Sequence, residues 1–183
     1  DKGYLIIGYT ESYDGDVYGN YGQDDLWAIK LDSTGAIQWQ KTFGGTDNDR
    51  ANFAAETSDG GFVITGHSES DDIDLSQNNG NKDFWMLKLT QNGTLVWKKS
   101  VGGTLEDNAY SVAQSTDGGI ISVGISASAD GDVSVNNGGD DFWIVKISNL
   151  TVTSPSKGDL WFSGTTRNIK WKSNGASNLK IEY

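Results

Sequence analysis

The segment DFWMLKLTQNGTLVWKKSVGG, residues 83–103, decides the fold prediction, because its pattern recurs along the chain at a fixed interval. Trp27, Trp85 and Trp143 follow one another at intervals of 58 residues (85 − 27 and 143 − 85), and no insertion breaks the period. The same interval relates Asp25, Asp83 and Asp141, then Lys30, Lys88 and Lys146, then Gly8, Gly66 and Gly124. A fixed interval of this length is typical of an architecture built from repeated structural units.

Four short stretches with strand character occupy each period. Three of them are YSVAQS (110–115), IISVGI (120–125) and FWIVKI (142–147), and the fourth is TLVWKKS (94–100) of the preceding copy. Tight turns such as Asp-Gly-Gly at 59–61 and 117–119 join them and predict antiparallel hairpins. We therefore predict outer strands at 36–42 and 94–100 and innermost strands at 52–57 and 110–115.

The third stretch of the period is apolar on both faces, as Phe84, Trp85, Met86, Leu87 and Leu89 show. Neither face of such a strand can lie against water, so the sheets must stack on one another. Stacked four-stranded units are the blades of a β-propeller, which closes with typically 4 to 8 blades. The prediction is an all-β chain in which residues 1–149 form about two and a half four-stranded blades of a partial β-propeller.

Residues 150–183 break the period. They hold the single proline and carry five basic and two acidic residues, in contrast to the acidic part that precedes them. Alternating polar and apolar residues in NIKWK and LKIEY are typical of the strands of a β-sandwich. We predict a second unit here, consisting of the first strands of a β-sandwich.

The pattern DGGF-x-I-x-G-x-S followed by D-x-W-x-x-K-L resembles the secreted β-propeller repeats of large Bacteroidota surface proteins. It reads here as Asp59-Gly60-Gly61-Phe62, then Asp83, Trp85, Lys88, Leu89, Gly93, Trp97, Lys98, Gly102 and Gly103. The resemblance implies a secreted or cell-surface location, with export by the type IX secretion system and a role as an adhesin or part of a modular enzyme. Residues 150–183 are similar to the opening of the immunoglobulin-like modules that follow such propellers.

The charge and composition exclude several classes of function. A net charge of −11 argues against nucleic acid, which requires clustered Lys and Arg. No apolar run approaches the roughly 20 residues of a membrane helix, so we expect no membrane insertion. The chain has no cysteine, which excludes disulfides and thiol chemistry.

The catalytic motifs of common hydrolases are missing, and we predict that the chain is not an enzyme. The single histidine, His67, lies where the other copies have Tyr9 and Ile125, so it is not part of a repeated site. GHSES (66–70) lacks the second glycine of a nucleophile elbow, and no HExxH motif is present.

An acidic loop precedes each of the three tryptophans. The three copies are SYDGDVYGNYGQDDLW (12–27), SDDIDLSQNNGNKDFW (70–85) and SADGDVSVNNGGDDFW (128–143). Calcium takes such oxygen ligands in groups of 6 to 8, with backbone carbonyls and water included. Alternatively, the same side chains cap the amides of their own loop and need no metal. The candidate calcium ligands are Asp14, Asp16, Asn20 and Asp25, then Asp72, Asp74, Asn78 and Asp83, then Asp130, Asp132, Asn136 and Asp141.

The recurring tryptophans and lysines have structural explanations. We expect Trp85 and its counterparts to fill the space between blades, because large rings on doubly covered strands are core material. Lys88 and its counterparts need a carboxylate partner, for which Asp49 and Asp107 are the predicted candidates.

Together these features predict a non-catalytic, secreted or cell-surface scaffold that binds a glycan or a protein partner. One alternative is an accessory segment of a secreted polysaccharide-degrading enzyme. Another is a cargo protein held by components of a secretion system.

Overall fold

A computed structural model describes residues 2–73, 78–148, 150–154 and 170–173. These residues form strands and connecting turns without any helix, which confirms the predicted all-β class. Within the same residues no helix is long and apolar enough to cross a membrane. Asp74 and most of the predicted immunoglobulin-like unit, residues 155–169 and 174–183, lie outside the described residues.

The strands are short, and most span seven residues. Their bounds are β1 Tyr4–Thr10, β2 Asp25–Leu31, β3 Ile37–Phe43, β4 Asp49–Glu56, β5 Phe62–Ser68, β6 Asp83–Leu89, β7 Leu95–Val101, β8 Asp107–Gln114, β9 Ile120–Ser126, β10 Asp141–Ile147, β11 Leu150–Ser154 and β12 Lys170–Ser173.

The first ten strands form three open antiparallel sheets. The first sheet has the order β1-β2-β3, the second β4-β5-β6-β7 and the third β10-β9-β8. β4 and β7 are the two edge strands of the second sheet. β11 and β12 pair with each other in a separate two-stranded sheet.

Glycine closes the hairpin turns where the backbone enters the left-handed region. Gly60, with φ of 76°, donates its N–H to the Thr57 carbonyl at 2.8 Å. Gly93, with φ of 75°, bonds to Thr90 in the same way at 3.0 Å. A side chain at these positions would be strained, which explains the Asp-Gly-Gly and Asn-Gly turn signals.

Each of the three tryptophans pairs with a glycine on the neighbouring strand. Trp27 lies opposite Gly8, Trp85 opposite Gly66 and Trp143 opposite Gly124. A β-carbon at Gly66 would lie 1.8 Å from the Arg50 carbonyl oxygen, next to the bulge where β4 and β5 shift register. Glycine is therefore required at position 66, and likewise at position 124, because the bulged strand approaches too closely for a side chain.

The three sheets stack face to face through two distinct surfaces. We define the forward face as the side that carries Leu26 and Ala28 in the first sheet, Phe84 and Met86 in the second, and Phe142 and Ile144 in the third. The rear face is the opposite side, which carries Trp27 and Ile29 in the first sheet, Trp85 and Leu87 in the second, and Trp143 and Val145 in the third. The forward face of the first sheet packs on the rear face of the second, and the forward face of the second packs on the rear face of the third.

The second sheet is thus covered on both sides. Every residue of β6 is buried, as its apolar residues on both faces predict. Trp85 is 1% exposed and lies in the cluster between the first and second sheets. Trp143 meets Phe84 edge to face at 4.7 Å between the second and third sheets. These aromatic contacts lie in the core between the sheets, and the polar loops lie at the ends of the strands.

Candidate functional site

Each acidic loop contains an asparagine that closes the loop on itself. Asn20 donates its Nδ2 to the Thr10 carbonyl at 2.9 Å and accepts the Gly22 N–H on Oδ1 at 2.9 Å. The side-chain amide thereby ties the loop to the end of the preceding strand. Matching pairs of bonds join Asn78 to Ser68 and Gly80, and Asn136 to Ser126 and Gly138.

The aspartate at the start of the following strand caps the same loop. Asp25 accepts the Tyr21 N–H at 2.8 Å, and Asp83 accepts the Asn79 N–H at 2.9 Å. Asp141 accepts the Asn137 N–H in the same way. These six of the twelve predicted ligands are therefore engaged with backbone groups of their own loop or of the strand that precedes it, as the capping interpretation predicts.

The first aspartate of the Asp-x-Asp pair reaches across to the preceding sheet. Asp130 accepts bonds from the Thr104 N–H and hydroxyl, both at 2.8 Å. Asp72 makes the same two bonds to Thr46, at 3.0 and 2.9 Å. The Thr104 backbone and hydroxyl bonds lower the pKa of Asp130. Because Thr46 and Thr104 follow β3 and β7, these carboxylates connect one sheet to the next.

Asp132 contacts the same turn through its backbone and side chain. Its N–H donates to the Gly102 carbonyl at 2.9 Å, and its Oδ2 accepts the Gly102 N–H at 3.3 Å. Asp132 thus also belongs to the joint between the second and third sheets. Its counterpart in the second loop, Asp74, lies outside the described residues.

In the first and third loops, whose predicted ligands are all described, the structure does not bring the four ligands of a loop together. Asp130 and Asp132 contact the turn at 102–104, whereas Asn136 and Asp141 close their own loop. Asp14 and Asp16 are exposed to solvent. Among the described residues, no three His, Asp or Glu side chains converge in a group that could hold a metal.

Two further buried aspartates, which the sequence analysis did not include among the site residues, also lie where one sheet meets the next. Asp49 is fully buried and accepts the Gly45 N–H and the Ser70 hydroxyl, both at 2.7 Å, as well as the Ser68 hydroxyl. Burial raises the pKa of Asp49 despite these bonds. Asp107 is equally buried and accepts the Gly103 N–H at 2.7 Å and the Ser128 hydroxyl at 2.9 Å. The signal in the sequence was their 58-residue spacing directly after the Gly-Gly turns.

Asp83 meets Asp107 at the second joint. Burial raises the pKa of Asp83 to about 6, and the negative charges of Asp107 and Asp132 act in the same direction. The Asn79 N–H opposes this shift by stabilising the carboxylate. The buried carboxyl of Asp83 therefore lies close enough to Asp107 and Asp132 to be affected by their negative charges.

The predicted partners of Lys88 were wrong. Its Nζ donates to Asp59 Oδ1 at 2.9 Å and to the Thr57 hydroxyl at 2.8 Å, not to Asp49 or Asp107. The turn between β4 and β5 brings Asp59 to the ammonium group, and the bonds from Thr57 and Lys88 hold the pKa of Asp59 far below its usual range. Lys146 pairs with Asp117 in the corresponding turn of the third sheet.

His67 lies half-buried on β5 opposite Phe84. Burial lowers the pKa of its imidazole, and the positive charge of Lys82 adds to this effect. On its other side His67 lies opposite Arg50 of β4, whose positive charge also favours the neutral ring.

The first acidic loop differs from the others in carrying exposed aromatic side chains. Tyr13, Tyr18 and Tyr21 are 81%, 76% and 56% exposed. Hydrogen bonds hold the backbone at two of these positions, because the Thr42 hydroxyl donates to the Tyr18 carbonyl at 2.7 Å and Asp25 accepts the Tyr21 N–H. The positions 58 and 116 residues later hold Asp71, Ser76 and Asn79, and Ala129, Ser134 and Asn137.

A cavity of about 470 Å³ opens beside Trp97, between the second and third sheets. Lys98 and Gln114 line its polar side. At the corresponding place Trp39 donates its indole N–H to the Gln91 carbonyl at 2.9 Å, and its ring lies against Gly93. The turn at 91–93 thus fills the space beside Trp39. The corresponding space beside Trp97 is open.

Comparison with protein-family models and with curated proteins gives no match to this chain.

Proposed function

We propose that this chain is a non-catalytic β-propeller segment that serves as a binding scaffold, with the tyrosine-bearing first loop (residues 11–24) as its binding surface. The repeated forward-to-rear packing of the sheets supports the propeller architecture, since each blade of a propeller covers the next in this way. The resemblance of the recurring pattern to secreted surface repeats supports a secreted or cell-surface location.

The single observation that carries the binding proposal is the set of three exposed tyrosines on one loop, whose backbone is hydrogen-bonded at Tyr18 and Tyr21. Exposed tyrosine rings offer an apolar face and a hydroxyl, and they lose little conformational entropy on binding. A loop held by hydrogen bonds presents them without a large ordering cost.

A neutral glycan fits this surface best. Its apolar ring faces stack on the tyrosines, and its hydroxyls can donate to the exposed carboxylates of Asp14 and Asp16. An anionic glycan would be repelled by these carboxylates and by the net charge of −11.

Titration of neutral oligosaccharides into the wild-type chain tests the proposal, with Tyr13→Ala and Tyr18→Ala as variants. Each substitution should weaken binding by up to about tenfold, the equivalent of an aromatic contact of about 1.4 kcal/mol. Tyr110→Ala is the matched control, because Tyr110 is 51% exposed but lies on β8, away from the loop.

Absence of oligosaccharide binding, or equal binding by all three variants, would contradict the glycan proposal. Capture of a protein partner that depends on Tyr13 and Tyr18 would retain the scaffold and change the ligand class.

A further inference from the structure

The forward face of the third sheet is exposed to solvent at Phe142 and Ile144. Phe142 is 71% exposed and Ile144 is 57% exposed, whereas their counterparts Phe84 and Met86 are fully buried. The same surface that forms the core between the second and third sheets is thus exposed to solvent on the third. Contiguous apolar surface of this kind marks an interaction site.

The rear face of the first sheet is also uncovered. Tyr4 is 60% exposed and Ile6 is 49% exposed, and both lie on the same side of the sheet as Trp27 and Ile29. Trp27 and Ile29 are only half-buried, whereas Trp85 and Leu87 at the corresponding positions are each 1% exposed.

These two exposed faces are complementary, because inside the chain a forward face always covers a rear face. Leu26 and Ala28 lie in one cluster with Trp85 and Leu87, and Phe84 and Met86 contact Trp143 and Val145 in the same order. We propose that the forward face of the third sheet binds the rear face of the first sheet of a second copy of this chain, head to tail.

The proposed contact between two copies has the same arrangement as the two interfaces between sheets inside one chain. A head-to-tail contact uses different surfaces on the two partners, so it continues into a ring or a chain of copies unless one face is blocked. It does not depend on the tyrosine loop, and glycan binding and self-association can therefore fail independently.

Charge sets the expected dependence on salt. Each copy carries a net charge of −11, so the copies repel one another at low ionic strength. Added salt screens this repulsion and leaves the apolar contact intact. Self-association should accordingly strengthen as sodium chloride is raised.

Molar mass measured by sedimentation over a wide range of chain concentration tests the proposal. The wild-type mass should rise above that of the monomer as concentration increases. Ile144→Lys blocks the forward face and Ile6→Lys blocks the rear face, and each variant alone should remain monomeric. Both side chains are exposed, so the folded chain should tolerate them, and circular dichroism verifies this. Phe142→Lys and Tyr4→Lys are second variants of the same faces.

Mixing the two variants gives the decisive result. The Ile144→Lys chain keeps its rear face and the Ile6→Lys chain keeps its forward face, so an equimolar mixture should form a one-to-one dimer and nothing larger. Leu105→Lys is the matched control: Leu105 is 49% exposed in the turn between β7 and β8, and this variant should associate like the wild type. A wild type that stays monomeric, variants that still associate alone, or a mixture that forms no dimer would overturn the proposal.

Discussion

Asp83 and Asp107 approach the same backbone position from two different sheets. A β-carbon on Gly102 would lie 2.5 Å from Asp83 Oδ1 and 2.6 Å from Asp107 Oδ2, so both carboxylates occupy the space that the glycine leaves. Both residues are fully buried. Burial and the nearby negative charge of Asp107 disfavour the charged form of Asp83.

This relationship predicts a pH dependence of stability. The pKa of Asp83 is raised to about 6 in the folded chain, above the value of about 3.9 of an unfolded aspartate. The folded state therefore binds the proton more tightly, and the contribution of Asp83 to the free energy of unfolding falls as pH rises from about 4 to about 6. Asp83→Asn removes the charge and keeps an acceptor for the Asn79 N–H. It should raise the free energy of unfolding by about 2 kcal/mol at neutral pH, with no gain below about pH 4.

Urea denaturation of wild type and variant at several pH values measures this difference, and other titrating groups cancel in the comparison. Asp59→Asn is a control of opposite sign, because the pKa of Asp59 lies far below its usual range. That variant should lose stability above about pH 4, and its deficit should shrink progressively only as pH falls from about 4 toward the much lower folded-state pKa of Asp59. A pH-independent effect of Asp83→Asn would show that the carboxyl is not strained by burial.

Much of the fold could be predicted from local signals. The apolar stretch at 84–89 predicted a strand covered on both faces, and the Asp-Gly-Gly turns at 59–61 predicted the hairpin that the structure contains. Both signals depend only on neighbouring residues and on the pleat of a strand, so no knowledge of distant contacts was needed.

The sites depended on contacts that a single copy of the pattern does not contain. Asp130 was grouped with Asp141 because both lie in one loop, but its partner Thr104 lies in the turn that follows β7 of the preceding sheet. The 58-residue period predicts which residues each unit contains, but it does not predict how a loop folds back onto the neighbouring sheet. For Lys88 a usable signal existed: Asp59 and Asp117 keep the same 58-residue interval as Lys88 and Lys146.

The burial of Trp85 predicts a large loss of stability on truncation. Trp85→Ala removes a side chain that is 1% exposed between two sheets and should cost about 3 to 5 kcal/mol in the free energy of unfolding. Trp27→Ala is the matched control, because Trp27 holds the same place opposite glycine but is only half-buried. Denaturant unfolding should show a clearly smaller loss for Trp27→Ala, and equal losses would argue against a core role specific to Trp85.

Ile73 predicts a stabilising substitution. Its φ of 51° is in the left-handed region, where the other two loops have Gly15 and Gly131 with φ of 67° and 61°. A β-branched residue is strained there, so Ile73→Gly should raise the free energy of unfolding by about 1 kcal/mol. Gly15→Ile is the reciprocal variant and should lower it by a similar amount, because a β-carbon at Gly15 meets no atom within 4 Å and only backbone strain is added. Thermal melting measures both, and a loss of stability in Ile73→Gly would contradict this interpretation.

The acidic loops allow a direct choice between capping and calcium. Asn20, Asn78 and Asn136 bind backbone groups of their own loops, and Asp130 is engaged by Thr104. Capping bonds require no cation, so we expect the same melting temperature in chelator and in millimolar calcium, with magnesium as a control. A calcium site at free calcium of about 100 times its Kd would instead add about 2.7 kcal/mol to the free energy of unfolding. Asp132→Asn separates the outcomes. Its Oδ1 can still accept the Gly102 N–H, so under capping it changes stability equally with and without calcium, whereas a calcium-dependent rise in melting temperature that this variant abolishes would establish metal binding.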